Sequence, residues 1–251
     1  MGNLMLALAT LVCSLPFTHS CDSESVVQRK VVVFIDDDSR DNWEFFNFDL
    51  ARVFERANGV LAADGLPFRY ELQISEIKSK WYAGDSRKEW IVVDTKTGGF
   101  AYELLEELEP ELKEKTRSGK IDIVLVFTDL LPFGLGIGIP QSLMLIDEDL
   151  GEHFDALSAS TAAIDGRGVI FLGLDRYGWQ PDILKAVAAH LPITLLHEQG
   201  HLFGLEHTRS GIMRHDPVEL SGLPVRFDSV SKEKLLELLE RNISDYTASR
   251  H

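Results

Sequence analysis

A chain of 251 residues that is 45% hydrophobic and 26% charged can bury a sizeable core, which excludes a disordered or fibrous polymer. Its formal net charge of −15 gains nothing from counterion release on a phosphate backbone and is repelled by an anionic bilayer. Nucleic acid and acidic membrane surfaces are therefore excluded as partners. One domain of mixed α and β, built as two lobes, is expected.

The chain opens with MGNLMLALATLVCSLPFTHS (1–20), which has no acidic residue and an apolar run from Leu4 to Leu15. That run is too short to span a bilayer and suits the core of a signal peptide, with Thr18 and Ser20 as small residues before a cut at Cys21. The expected location is secreted or extracytoplasmic, and no other stretch reaches a membrane-spanning length. Removal of Cys13 with the signal leaves Cys21 alone, so no internal disulfide can form. A lipid anchor on Cys21 is disfavoured, because FTHSC lacks the aliphatic residue such a cysteine usually follows.

Residues 21–29, CDSESVVQR, read as a polar leader to the main domain, 30–251. VVVFI (31–35) is a β-branched run of the kind found in a strand covered on both faces. Next, Phe46, Leu50, Val53 and Phe54 recur at helical spacing, and Gly59 marks the helix stop. FRYELQISEI (68–77) alternates as a strand, whereas 78–99 is mixed and ends in a glycine pair. Residues 101–119 form an amphipathic helix with a solvated acidic face, which Pro110 must kink or split.

IDIVLVFTD (121–129) is the strongest strand of the chain. The glycines at 134, 136 and 138 resemble a phosphate loop only superficially, since no Lys-Ser/Thr follows and Pro140 stands where a helix should begin. A glycine-rich rim loop beside a cleft is expected instead, with SLMLID (142–147) as an edge strand. GVIFLGLD (168–175) is a further buried strand. Pro181 and Asp182 then open a helix to about residue 203, with a kink or restart at Pro192. Residues 229–243 form a last amphipathic helix capped at Ser231. The NIS sequon at 242–244 falls near its end.

The segment HEQGHLFGLEH (197–207) concentrates the chemistry. On a helix, His197 and His201 share one face, about 5–6 Å apart at Cβ, so one metal ion can bridge them. Glu198 lies on the adjacent flank, near a metal-bound water without being a ligand. Gly204 can take the left-handed turn that ends the helix and returns His207 as a third nitrogen ligand. Three neutral imidazoles leave a fourth tetrahedral position open, as in a catalytic zinc site. The structural alternative, unconnected core or surface histidines, does not account for a pattern HExxHxxGxxH met at every specified position.

With these residues the segment resembles the metzincin clan of zinc metallopeptidases, and SGIM (210–213) is similar to the clan's Met-turn, with Met213 beneath the metal. The resemblance covers residues 197–213. It implies a metzincin-like α/β fold, with a twisted, mostly parallel sheet, an antiparallel edge strand and helices in an upper lobe to about 204. A small C-terminal lobe, 205–251, would follow the third zinc histidine. SLMLID or the glycine-rich stretch before it would be the cleft's upper rim, and DPVELSGLPVRF (216–227) would wall the pocket just past the scissile bond. Thr208 after the third histidine is closer to matrixin-like and bacterial toxin-like members than to astacins, which leaves a matrixin-like or a divergent bacterial or archaeal-type member. His215 stands where astacins and serralysins carry a tyrosine; it either contacts the transition state or is a surface residue.

The function implied is a zinc-dependent endopeptidase with one catalytic Zn2+, a protein or peptide substrate and Glu198 as general base. The alternative is a zinc-stabilised module that captures a peptide without cutting it. Nothing in the sequence sets the oligomeric state.

Overall fold

The computed structural model describes residues 26–36, 50–72, 82, 108–132, 135–141, 165–175, 181–214 and 226–248. Strand β1 (Val27–Ile35) is followed by helix α1 (Leu50–Ala63), strand β2 (Phe68–Leu72), helix α2 (Pro110–Arg117) and strands β3 (Ile123–Pro132), β4 (Gly136–Pro140) and β5 (Gly168–Asp175). Helices α3 (Pro181–Leu202) and α4 (Ser229–Ala248) complete the order. The five strands form one sheet in the order β2-β1-β3-β5-β4. β1 pairs in parallel with β2 and β3, β3 pairs in parallel with β5, and β4 runs antiparallel along β5 at the edge. The expected α/β class, with a mostly parallel sheet and an antiparallel edge strand, is the one observed.

The β-branched runs are continuous because both faces of the sheet are covered. Val31, Val33, Ile35, Ile123, Leu125, Phe127, Ile170 and Leu172 point to one side, where they meet Val53, Phe54, Ala57 and Leu61 of α1 and Leu195 and Leu196 of α3. The intervening Phe34, Val124, Val126, Val169 and Phe171 join Leu108 and Leu112 on the other side. This two-residue alternation across a doubly covered sheet is why no polar face shows in these strands.

Several boundaries differ from expectation for identifiable reasons. β1 starts at Val27, inside the segment read as a polar leader. The polar residue that obscures the strand, Arg29, is buried, with its guanidinium 5.6 Å from the Phe203 ring centroid and 3.7 Å from Asp122. Gly59 does not stop α1; buried Ala57 and Leu61 on either side of it carry the helix on to Ala63. The stop is Gly65 at φ 69°, where Leu66 N–H donates to Leu61 O and Gly65 N–H to Ala62 O. Gly119 ends α2 in the same way at φ 69°, the left-handed cap that glycine adopts without a Cβ clash.

Pro110 takes the first position of α2, where its missing N–H costs nothing. Leu108 before it is in a β-bridge to Tyr82, and 101–107 lie outside the described residues. Pro192, by contrast, interrupts nothing. α3 runs through it, with Leu191, Ile193, Leu195 and Leu196 buried, and that packing outweighs the lost hydrogen bond. The glycine-rich stretch read as a rim loop is the edge strand β4, while SLMLID (142–147) lies outside the described residues. The cap of α4 is Asp228, not Ser231. Its Oδ1 accepts from the Val230 and Ser231 amides at 3.0 Å, and the Ser231 hydroxyl donates to its Oδ2. Asn242 of the sequon lies within α4. No helix among the described residues is long and apolar enough to cross a membrane.

The segment before α4 is tied back to the first half of the chain. Buried Asp64, at the end of α1, accepts from the Phe227 amide at 3.0 Å and from Arg226 at 3.1 Å. Asp64→Ala would strand the buried Phe227 N–H, and a loss of about 1–3 kcal/mol is expected. Urea denaturation should show it as a lower midpoint with an unchanged slope.

Candidate metal centre

Helix α3 delivers His197 and His201 one turn apart, with ring centroids 4.8 Å from each other. The helix ends immediately afterwards. Gly204 sits at φ 66°, its N–H donates to His201 O at 2.9 Å, and Leu205 N–H donates to Gly200 O at 2.9 Å. The chain then doubles back, and His207 faces the other two rings. Lys234 of α4 secures the turn by donating to Gly204 O at 2.8 Å.

The three Nε2 atoms lie 3.2, 3.2 and 3.3 Å from one another. Hydrogen bonding to the opposite ring nitrogens fixes what those atoms are. His197 Nδ1 is 2.7 Å from the Ile212 carbonyl and His201 Nδ1 is 2.9 Å from the Leu205 carbonyl. A carbonyl only accepts, so each Nδ1 carries the proton and each Nε2 of that pair is left with a bare lone pair. Lone pairs converging at this range repel unless a cation lies between them. A four-coordinate ion about 2.0–2.1 Å from each nitrogen needs separations of about 3.3–3.4 Å, which is the spacing seen. These residues fit a metal ion, and no other group of three potential ligands is found among the described residues.

Burial grades across the triad, from His197 at 5% exposed through half-buried His201 to exposed His207, so the site opens toward solvent on the His207 side. Burial holds the His201 pKa below its ordinary 6.5, opposed by the hydrogen bond to Leu205 O. Its ring is thereby kept neutral, the state a metal ligand needs.

Ile212, whose carbonyl orients His197, belongs to the tight turn 210–213. Gly211 takes φ 76° there, Ile212 N–H donates to Arg226 O at 2.9 Å, and Thr208 N–H donates to Met213 O at 2.8 Å. Met213 is fully buried. A Cβ on Gly200 would overlap its Sδ and lie 2.9 Å from its Cε, so Met213 packs on the helix backbone next to His201. The Thr208 hydroxyl lies 2.8 Å from Asp228 Oδ2, which links this turn to the α4 cap. Burial raises the Asp228 pKa, but hydrogen bonds from Ser231, Thr208 and Val230 outweigh it and hold the carboxyl below its usual range.

Glu198 is 5% exposed and faces the edge strand β4, not open solvent. Burial pushes its carboxyl up to about 8, against the opposing effect of a hydrogen bond from the Gly138 amide. A dication nearby would favour the carboxylate form.

His197, His201 and His207 thus come together, with Glu198 adjacent in sequence and Met213 packed on Gly200, whereas His215 lies outside the described residues. Gly200 and Asp228 were not foreseen from the sequence, and Gly136 and Gly138, expected in a rim loop, lie instead in a strand against Glu198. The signal for the two strand glycines was their two-residue spacing, which puts them on one face of a strand.

Two outcomes follow from this geometry. Gly200→Ala forces Met213 aside and is expected to cost about 1–3 kcal/mol, with weaker zinc retention, measured by thermal denaturation with and without zinc. Acidification should release a bound ion as the rings protonate. Because the His201 pKa is lowered, retention is expected to persist through neutral pH and fail only below the ordinary 6.5, which zinc titration against pH would read.

No family model and no curated protein matches the chain. Among solved structures it is similar to archaemetzincin from Methanopyrus kandleri, at 16% identity and a TM-score of 0.43 over 85% of this chain and 96% of that one. It is also similar to metalloproteinase-II from Bacteroides fragilis, at 13% identity and a TM-score of 0.39 over 87% of this chain. This chain spans only 55% of that protein's length.

Proposed function

We propose that this chain is a zinc-dependent endopeptidase, with one ion held by His197, His201 and His207 and Glu198 as the general base. The observation that carries the reading is the triangle of Nε2 atoms at 3.2–3.3 Å, on two rings whose Nδ1 faces a backbone carbonyl. The HExxHxxGxxH pattern and the position of Met213 beside Gly200 support a metzincin-type site. Thr208 favours a matrixin-like or divergent bacterial or archaeal-type member. Residues 1–20 support export, and 30–251 the catalytic domain.

When bound, zinc supplies a Lewis acid for the scissile carbonyl and brings the pKa of water to about 7. The remaining work falls to side chains. Glu198, buried and hydrogen-bonded by the Gly138 amide, accepts the proton of the attacking water and hands it to the departing amine. Burial, which raises the proton affinity of this carboxyl, favours uptake of that proton. The carbonyls of Ile212 and Leu205 keep two imidazoles in the ligating tautomer throughout.

The test is metal analysis of the purified protein, followed by mass-spectrometric mapping of products from a denatured protein, with and without chelator. One zinc per chain and chelator-sensitive cleavage are expected; zinc-dependent peptide capture without cleavage would instead identify a binding module. Glu198→Gln should keep the zinc and lower kcat by about 10²–10⁴. His207→Ala should raise the zinc dissociation constant by at least tenfold, as read by competition with a chromogenic chelator.

A further inference from the structure

β4 has an unusual composition for a strand, GIGIP, with glycine at 136 and 138. Glycine weakens a strand, and neither residue has the positive φ that would require it. Both face α3. A Cβ on Gly136 would lie 2.5 Å from Glu198 Cγ, 2.7 Å from Oε1 and 2.8 Å from Cδ. A Cβ on Gly138 would overlap the Glu198 backbone carbonyl oxygen. Both glycines therefore abut the same residue, one at its side chain and the other at its main chain.

The pairing adds a second constraint. Gly173 N–H donates to Leu135 O at 2.8 Å. The alternation of an antiparallel pair then turns the Gly138 N–H away from β5, while the position its missing side chain would fill is taken by the Glu198 main chain.

We propose that Gly136 and Gly138 are positioning residues for Glu198: the side-chain-free face of β4 leaves the volume that its carboxyl and its main chain occupy. This rests on the metallopeptidase reading for its catalytic meaning, whereas the contact itself does not.

The test is a double-variant cycle on the zinc-loaded chain, combining Gly136→Ala with Glu198→Ala. With Glu198 present, the added methyl should lower the melting temperature by about 3 °C or more. In the Glu198→Ala background, which removes the atoms it strikes, it should change the melting temperature by less than about 1 °C. A single variant that fails to fold beside a double variant that folds is the same coupling at its limit. With Glu198 present, Gly136→Ala should also lower kcat at least tenfold, with KM within twofold and one zinc retained. Equal thermal cost in both backgrounds overturns the inference, and so does a kcat within twofold of wild type. Absence of hydrolysis by the wild-type chain overturns the peptidase reading and the catalytic role with it, while the thermal cycle still reports the contact.

Discussion

Three ring nitrogens held 3.2–3.3 Å apart are the constraint around which the C-terminal part of this molecule is organised. Each surrounding feature limits one freedom of that arrangement. The pitch of α3 sets the separation of His197 and His201, and the left-handed Gly204 determines where His207 can return. The Ile212 and Leu205 carbonyls choose the tautomer. Met213, packed on Gly200, backs the helix at the turn that carries the rings. Without a cation the converging lone pairs are an electrostatic cost, so occupancy and local stability are linked.

A second constraint is burial of the neighbouring carboxyl. Enclosing Glu198 between α3 and β4 raises its proton affinity, and a dication held by the neighbouring histidines would oppose that rise. The two effects act on one group from opposite sides.

Much of this was legible in the residues. The β-branched runs at 31–35, 121–129 and 168–175 are strands because an α/β sheet buried on both faces leaves a continuous apolar trace. The histidine spacing brings His197 and His201 together because helical pitch is invariant. What escaped notice depended on what lies alongside in space. Gly136 and Gly138 resemble loop residues until α3 is seen against them. Gly59 resembles a stop until Ala57 and Leu61 are seen to be buried, and Arg29 resembles a leader residue until Phe203 and Asp122 enclose it. Asp228 was passed over in favour of Ser231 because both are good caps, and only the position of the first turn decides between them.

The bonds from Asp64 to Arg226 and to the Phe227 amide span 162 and 163 residues of chain. They anchor the segment whose Arg226 carbonyl holds the turn bearing Ile212, and through it the first imidazole. Closing so large a loop is slow relative to forming α1 or the central parallel pairs. A ring in the second half of the chain is oriented through a contact that begins at Asp64.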